Sequence, residues 1–304
     1  MKELIIVGGG PAAMSAGVYA ARMKLGVSLV TKKFGGHLTQ TDVIENYLGF
    51  DNISGPELAE KFEEHLRCYD IELSEDTSVK KIYQKENTVY LELDNGEVIE
   101  AKTAIVATGS ERKKLNVAGE EEFLNKGVSY CTVCDGPLFQ DEDVAIIGGS
   151  YAGTKAALYM SRIAKKVYLI EIENELRGEK ITLEKLKDTG NVEIITNAKT
   201  KEIYGSDCVE GLKYIDLKSD CEKDLKVNGV SIEIGITPNS DIVEAEKNSH
   251  GQIKVNDNMQ TSKNRIFAVG DVNDKGPEQV AVAVGQGCTA ALEVDKLISS
   301  LEKD

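Results

Sequence analysis

The chain has 304 residues, of which 41% are hydrophobic, and a formal net charge of −15. This length exceeds that of a typical single domain and predicts two domains. The negative charge argues against nucleic acid and anionic membranes as partners, because their phosphates would be repelled, and no apolar run approaches the roughly 20 residues that cross a bilayer. An apolar strand follows Met1-Lys2-Glu3 directly, so no signal peptide and a cytoplasmic location are expected.

The first predicted unit is a strand, a glycine-rich turn, a helix and a second strand. Residues 4–7 predict a buried strand, residues 8–13 a turn, residues 14–23 an alanine-rich helix and residues 27–30 a parallel strand. Glycines allow the backbone to approach a pyrophosphate, and the unpaired N–H groups at the helix start would face it. The order of elements therefore predicts a dinucleotide-binding turn, although Thr31 and no carboxylate follows the second strand.

Short alternating strands come next. Residues 88–93 followed by Asp94-Asn95-Gly96 predict an antiparallel hairpin with a tight turn. Residues 102–108 predict a further apolar strand, which ends at Thr108-Gly109.

The run Cys131-Thr132-Val133-Cys134-Asp135-Gly136 contains a C-x-x-C pair, which can bind a metal or exchange disulfides. A zinc site needs about four ligands, and the sequence offers no second C-x-x-C and no His pair. Because the pair lies between two glycine-rich turns, we interpret it as a dithiol that receives electrons from a bound cofactor. The other cysteines lack this spacing and are predicted to be buried small hydrophobic residues: Cys68, Cys208, Cys221 and Cys288.

A second unit repeats the plan of the first. Residues 144–147 predict a strand, residues 148–153 a glycine turn, the residues up to Arg162 a helix, and residues 166–170 a parallel strand. Further on, residues 265–269 predict a strand that leads into Gly270-Asp271, and a final helix is predicted from about Glu278 to Leu301. We assign this late strand and helix to the first domain, which makes the second domain an insertion.

The predicted fold class is therefore α/β, with two Rossmann-like three-layer domains. The first domain is discontinuous and comprises residues 1–112 and 238–304. The second is a smaller inserted module of residues 113–237, which carries the C-x-x-C and a degenerate dinucleotide site.

Along nearly its full length the chain resembles the low-molecular-weight flavin thioredoxin reductase family, and most of all its ferredoxin-dependent, NADPH-independent branch. The matching segments are residues 8–13, Gly35-Gly36-His37-Leu38-Thr39, Glu45-Asn46, Ala107-Thr108-Gly109, residues 131–136, and Gly270-Asp271-Val272 with Gln279 following.

The resemblance implies that the first domain binds FAD. The Gly8 turn would hold the pyrophosphate, Asp271 would hydrogen-bond the ribitol, and the start of the last helix would face the pyrimidine edge of the flavin. His37 stands where the family often has glutamine and would either tune flavin protonation or simply pack and hydrogen-bond. The implied FAD-binding residues are Gly8, Gly10, Pro11, Ala12, Ala13, Gly35, Gly36, His37, Leu38, Thr39, Asn46, Ala107, Thr108, Gly109, Gly270, Asp271, Gln279 and Val280.

The resemblance also implies the roles of the dithiol. Cys134 would receive electrons from the flavin, Cys131 would attack the partner disulfide, and Asp135 would manage the proton of the departing thiolate. Thioredoxin is the implied partner, and a homodimer is the implied assembly.

The electron donor is the point at which the sequence departs from the common family pattern. NADPH-dependent members are expected to have a glycine in the middle of the second turn and a basic H-R-R-x-x-x-R stretch. This chain has Ser150 in the turn and then Glu171-Ile172-Glu173-Asn174-Glu175-Leu176-Arg177, so repulsion disfavours the 2′-phosphate of NADPH. NADH stays open, because Glu171 can accept hydrogen bonds from ribose hydroxyls.

The leading hypothesis is a flavoprotein disulfide reductase that receives electrons from reduced ferredoxin. The alternatives are an NAD(P)H-dependent thioredoxin reductase, a nucleotide-independent flavin oxidase that makes disulfides in a small dithiol and reduces oxygen, and a redox sensor without turnover.

Overall fold

The computed structural model describes residues 1–301, which form two compact units. Unit 1 contains Met1–Glu111 and the chain from Thr237 onward, and unit 2 contains Arg112–Ile236. The sequence predicts the boundaries between residues 112 and 113 and between residues 237 and 238. The cofactor or partner that each unit binds stays a prediction. Among residues 1–301, no helix combines the length and the apolar character needed to span a membrane.

Both units combine strands and helices. In chain order the strands are β1 (Lys2–Val7), β2 (Val27–Val30), β3 (Glu72–Ser74), β4 (Val79–Lys85), β5 (Thr88–Leu93), β6 (Val98–Val106), β7 (Ser110–Arg112), β8 (Val128–Ser129), β9 (Asp143–Ile147), β10 (Lys166–Ile170), β11 (Val192–Ile195), β12 (Ala198–Gly205), β13 (Val209–Asp216), β14 (Cys221–Leu225), β15 (Gly229–Ile232), β16 (Ile236–Pro238) and β17 (Ile266–Ala268). The α-helices are α1 (Pro11–Arg22), α2 (Gly55–Arg67), α3 (Thr132–Asp135), α4 (Tyr151–Met160), α5 (Lys180–Asp188) and α6 (Val280–Leu301), with 3-10 helices at Gly36–Gln40, Gly136–Phe139 and Gly270–Val272.

Unit 1 is built on a seven-stranded sheet, in which six strands have the order β3-β2-β1-β6-β5-β4 and the seventh, β17, pairs with β6. Strands β3, β2, β1 and β6 run parallel, whereas β6, β5 and β4 are antiparallel. The long strand β6 pairs with β5 through its first half and with the late strand β17, in parallel, through its second half. The predicted hairpin after residue 93 is thus confirmed, and β17 joins the sheet of the first unit.

Helix α1 packs closely against α6 because both present small side chains. Ala12, Ala16 and Ala290 lie in one buried cluster with the sheet. A Cβ added at Gly287 of α6 would lie 2.3 Å from the carbonyl oxygen of Ala12, so a larger residue would separate the two helices. This packing fixes the start of α1 over the carboxyl end of the sheet.

Unit 2 contains a five-stranded, all-parallel sheet with the order β11-β10-β9-β15-β8, and a separate antiparallel sheet β12-β13-β14. Alternate residues of β9 enter different cores: Val144 and Ile146 pack with α4, whereas Ala145 and Ile147 pack with the side of β13. Parallel sheets covered on both faces are typical of doubly wound folds. The predicted α/β class with Rossmann-type sheets is confirmed.

Helix ends differ from the sequence prediction by a few residues. Helix α1 begins three residues earlier than predicted, with Pro11 in its first turn, because proline needs no N–H partner there. The last helix begins at Val280, two residues later than predicted, and α4 ends at Met160 instead of Arg162.

Candidate dithiol and dinucleotide sites

The two cysteines of the C-x-x-C run form a disulfide in unit 2. Cys131 precedes α3 and Cys134 lies within it, with their Cα atoms 5.2 Å apart. The backbone N–H of Cys134 also donates to the Cys131 sulfur at 3.3 Å. Both cysteines are half-buried, and Val133 between them is 55% exposed. A partner can therefore approach this turn from solvent.

Ser129 joins the dithiol turn to Asp135. Its hydroxyl donates to the carboxylate of Asp135 and accepts the backbone N–H of Cys131, the latter at 3.0 Å. Ser129 is buried at the end of β8, so it holds Asp135 beside the cysteine turn. The sequence prediction missed this serine, although its position two residues before the first cysteine is a signal that could have suggested it.

Glu233 supports the same turn from the other side. One oxygen of its carboxylate accepts the backbone N–H of Thr132 at 3.2 Å, the Thr132 hydroxyl, and the Ser231 hydroxyl at 3.3 Å. Thr132 and Ser231 are buried and their hydroxyls lie 2.7 Å apart. Glu233 directly follows β15, about 100 residues after the cysteines in sequence, and no local motif pointed to it.

A buried carboxylate anchors the segment before the dithiol. Glu120 is 2% exposed and accepts the Tyr130 hydroxyl at 2.6 Å. It also accepts backbone N–H groups from residues 115, 116 and 117 at 2.8, 2.6 and 3.4 Å. Burial of the ring, followed by the hydrogen bond to Glu120, raises the pKa of Tyr130, so its hydroxyl stays protonated and keeps donating at physiological pH.

In unit 1, the first glycine turn (residues 8–13) has the geometry of a pyrophosphate site. Gly8 has φ +129°, and a Cβ there would lie 2.2 Å from the carbonyl oxygen of Ala107, so glycine is required. A Cβ at Gly10 would meet no protein atom within 4 Å. Helix α1 then starts with no acidic residue in its first turn and no side-chain cap, and its first N–H groups have no partner inside the helix. These residues fit a dinucleotide phosphate.

Other predicted cofactor residues gather around this turn. The N–H of Gly35 donates to the carbonyl of Gly9 at 2.9 Å, and a Cβ on Gly36 would lie 3.5 Å from the Cα of Gly10. A Cβ on Gly270 would lie 3.2 Å from the Cβ of Ala12. Asp271 follows in the 3-10 helix Gly270–Val272 and is half-buried.

The remaining predicted residues extend this region. Val280, at the start of α6, packs against the small core that contains Leu38. The amide of Asn46 donates to Gln279 at 3.4 Å, and the Thr39 hydroxyl donates to the Gly36 carbonyl at 3.0 Å.

Three more of the predicted residues have polar groups that are used within unit 1. Nε2 of His37 lies 2.8 Å from the Ser110 carbonyl oxygen. The Thr108 hydroxyl donates to the carbonyl of Asn239 at 2.7 Å, and the carbonyl of Gly109 accepts the N–H of Asn239 at 2.9 Å.

Gln286 is a supporting residue that the sequence prediction missed. Its buried amide oxygen accepts the N–H of Gly270 at 2.7 Å and the side-chain amide of Asn273 at 2.8 Å, and its nitrogen donates to the Lys275 carbonyl at 2.7 Å. It thereby fixes the loop of Asp271 to α6. A glutamine within the otherwise apolar residues 280–288, at the start of the predicted last helix, was the available signal.

The second glycine turn (residues 148–153) repeats the backbone of the first but differs in its side chains. Gly10 has φ −82° and ψ −179°, and Ser150 has φ −76° and ψ −175°. Ser150 therefore places a Cβ and a hydroxyl in the direction that is open at Gly10. The second turn fits a pyrophosphate less well than the first for this reason.

The acidic run after β10 is engaged within unit 2. The Glu171 carboxylate accepts the backbone N–H of Gly149 and, through its other oxygen, the N–H of Glu173 at 2.8 Å. Arg177 points its guanidinium to Glu173 at 3.6 Å and is largely exposed. At the position of the family's basic stretch this chain therefore has carboxylates, and the cation Arg177 is already paired with one of them, Glu173.

The prediction that the other cysteines are buried was wrong. Cys68, Cys208 and Cys221 are exposed, and Cys288 is half-buried. Cys68 follows the last turn of α2 and Cys221 begins β14, whose residues are exposed except for a half-buried Leu225, so their positions at element ends outweigh the general preference of cysteine for the interior.

Two Rossmann-type units, one with an open phosphate turn and one with an internal disulfide, define a redox protein of the dithiol oxidoreductase class. The chain belongs to the pyridine nucleotide-disulphide oxidoreductase family, whose model matches residues 2–287. Membership implies a flavin, FAD.

Individual relatives carry different names. The chain is 40% identical over 292 residues to an NADH dehydrogenase of Bacillus subtilis (strain 168), covering 95% of this chain and 57% of that protein. It is similar in structure to the thioredoxin reductase from Streptococcus pyogenes MGAS5005, with a TM-score of 0.92, 37% identity and 99% of each chain covered. It is also similar to a ferredoxin-flavin thioredoxin reductase from Clostridium acetobutylicum, with a TM-score of 0.53, 31% identity and 98% of each chain covered. The chain thus spans little more than half of the curated relative's length.

Proposed function

We propose that the protein is a cytoplasmic, homodimeric thioredoxin-disulfide reductase that holds FAD in unit 1 and passes electrons through Cys131 and Cys134 to thioredoxin, with reduced ferredoxin as donor. The structural similarity to thioredoxin reductases supports the acceptor. FAD, when bound, would store electrons and so link a donor that gives one electron at a time to a dithiol that accepts two. The first glycine turn, the Gly35-Gly36 loop and the loop of Asp271 would hold it.

The reaction at the dithiol is thiol exchange. In the reduced protein, the Cys131 thiolate attacks one sulfur of the partner disulfide, forms a mixed disulfide and releases one partner thiolate. The Cys134 thiolate then attacks the Cys131 sulfur, restores the internal disulfide and releases the second partner thiolate. Two electrons pass to the partner, and Asp135, held by Ser129, is placed to exchange the proton of the departing thiolate.

The choice of donor rests on one observation. Ser150 occupies with its side chain the space that Gly10 leaves open at the same backbone conformation. A dinucleotide needs its pyrophosphate in contact with backbone N–H groups there, so we infer that unit 2 serves as the frame of the dithiol and binds no NADPH.

NADH is the second candidate donor, and one specific observation favours it. Glu171 lies at the end of β10, where an acidic residue can accept hydrogen bonds from both ribose hydroxyls, and the Bacillus subtilis relative is named an NADH dehydrogenase. To bind the ribose, Glu171 would have to exchange at least one of its two backbone N–H partners for a hydroxyl.

Charge sets a condition on ferredoxin docking. Ferredoxins are usually acidic, and this chain carries a net charge of −15. Lys81, Lys114 and Lys166 each pair with a glutamate, whereas Lys32 and Lys33 are exposed after β2. Docking through a small basic face on an acidic body would weaken as ionic strength rises.

The deciding experiment is anaerobic visible spectroscopy of the purified protein. NADPH, NADH and photoreduced ferredoxin are added in turn, with thioredoxin present. The proposal expects no bleaching of the flavin band by either nicotinamide and, with ferredoxin, bleaching followed by thioredoxin reduction. Bleaching by micromolar NADH would replace the ferredoxin proposal with the second candidate, and failure of thioredoxin to accept electrons from the reduced protein would refute the acceptor.

A further inference from the structure

The two units share a backbone arrangement around their glycine turns. The N–H of Gly8 donates to the end of β2 at 2.9 Å, and that of Gly148 donates to the end of β10 at 2.8 Å. Ala107, which follows β6, donates its N–H to the end of β1 at 2.8 Å, and Glu233, which follows β15, donates its N–H to the end of β9 at 2.8 Å. The carbonyl oxygen of Ala107 lies 2.2 Å from a Cβ built on Gly8, and that of Glu233 lies 2.5 Å from a Cβ built on Gly148. Glu233 is thus the structural equivalent of Ala107.

The comparison shows that this position does not need a carboxylate for the fold. In unit 1 an alanine suffices for the same backbone hydrogen bond and the same contact with the glycine turn. In unit 2 the carboxylate instead reaches Thr132, the residue after the first cysteine, through its N–H and its hydroxyl. The additional contacts of Glu233 are therefore directed to the dithiol turn.

We propose that Glu233 is a positioning residue that holds the dithiol turn through Thr132 when the disulfide is open. The proposal rests on the assignment of Cys131 and Cys134 as a redox-active pair. In the oxidised protein the covalent bond fixes the turn as well. After reduction that constraint is lost, and the hydrogen bonds of Glu233 remain to keep the two sulfurs near each other.

Two physical effects of Glu233 act in the same direction. An ordered turn loses less conformational entropy when the disulfide forms, which favours the oxidised state. The negative charge of the Glu233 carboxylate also disfavours a thiolate in the same turn. In addition, the carboxylate accepts the Thr132 N–H, which would otherwise be available to a Cys131 thiolate. Both effects make the dithiol a stronger reductant.

The test uses Glu233→Ala, which installs the residue found at the equivalent position of unit 1, and Glu233→Gln, which removes the charge but retains an acceptor oxygen. Each protein is equilibrated anaerobically with dithiothreitol buffers, trapped with iodoacetamide and digested with trypsin. Residues 127–155 form one tryptic peptide that contains only Cys131 and Cys134, so its mass reports the dithiol fraction without interference from the other cysteines.

We expect Glu233→Ala to shift the equilibrium constant toward the dithiol about tenfold, equivalent to about 30 mV, and Glu233→Gln to shift it less. Amide hydrogen exchange of residues 131–135 should become faster in Glu233→Ala when the protein is reduced, with a smaller change when it is oxidised. Glu184→Ala, at an exposed position of α5 in the same unit, is the matched control and should leave both measurements unchanged.

An equilibrium constant and a reduced-state exchange rate that match the wild type in Glu233→Ala would overturn the proposal. Thr132→Val is a second variant that removes only the hydroxyl donor, and it should raise exchange in the reduced turn even if Glu233→Ala folds poorly. None of these measurements uses thioredoxin, ferredoxin or a nicotinamide. A failure of the proposed function would therefore appear in turnover and leave this result intact.

Discussion

Gly10 and Ser150 occupy equivalent positions in the two turns, so exchanging glycine and serine at each should change dinucleotide binding in opposite directions. Gly10→Ser should strongly weaken FAD binding, and Ser150→Gly should open the second turn. Because both residues have the same extended backbone angles, a serine at position 10 introduces no backbone strain. Any loss of cofactor then reports on the space and the hydrogen bonds at the turn.

The size of the effect follows from the donors at the start of α1. Pro11 has no N–H, and the N–H of Met14 donates to the Gly10 carbonyl at 3.1 Å. The N–H groups of Ala12 and Ala13 are then the two donors of the first turn for a phosphate. Hydrogen bonds to a charged group contribute about 1.5–3 kcal/mol each, so displacing the pyrophosphate from both should weaken FAD binding by roughly 10²–10⁴-fold.

The assay is reconstitution of the apoprotein with FAD, followed by flavin fluorescence, with circular dichroism as the check on folding. Ser150→Gly is assayed by anaerobic titration with NADH, and at least about a tenfold gain in affinity is expected because one steric obstacle is removed while Glu171 stays in place. A folded Gly10→Ser protein with wild-type FAD affinity would show that this position does not face the phosphates. The inference about Ser150 would then fail with it.

Three further predictions concern other parts of the two units. Cys134→Ser should retain FAD and its reduction while thioredoxin turnover falls to background, and normal turnover would refute the dithiol assignment. Gln286→Leu should weaken FAD binding about tenfold or more, measured by fluorescence titration, since the loop beside it loses three hydrogen bonds. Glu120→Ala should destabilise unit 2 by about 3 kcal/mol in thermal unfolding, because it strands the Tyr130 hydroxyl and three backbone donors, whereas Glu121→Ala at the exposed neighbour should change little.

The parts of the site that the sequence predicted are those encoded by local pattern. Glycines at positions 8 and 148 are required by a positive φ and by close backbone approach, and both follow apolar strands that were recognised from composition. The C-x-x-C spacing brings its two sulfurs together within one turn. In such segments the neighbours in sequence are also the neighbours in space.

The supporting residues escaped prediction because their partners are distant in sequence. Glu233 contacts Thr132 across 101 positions, and Gln286 contacts Gly270 across 16. Their side chains have no distinguishing local motif, and only the pairing of β15 with β8 brings Glu233 beside the cysteine turn. The general preference of cysteine for the interior likewise led to a wrong prediction for Cys208. This residue is exposed, because burial depends on where an element ends.

The differences between the two units are concentrated around one feature, the glycine turn. Three equivalent positions diverge while the backbone hydrogen bonds are retained: Gly10 and Ser150, Thr31 and Glu171, Ala107 and Glu233. Ser150 adds a side chain where a pyrophosphate would need space, and Glu171 and Glu233 add negative charge that disfavours phosphates, although Glu171 can accept ribose hydroxyls. Two of the three added groups bind backbone N–H groups of the protein itself, at Gly149 and at Thr132. The contact of Glu171 therefore stabilises the second glycine turn and that of Glu233 the dithiol turn, so the side chains by which unit 2 departs from unit 1 support its own turns.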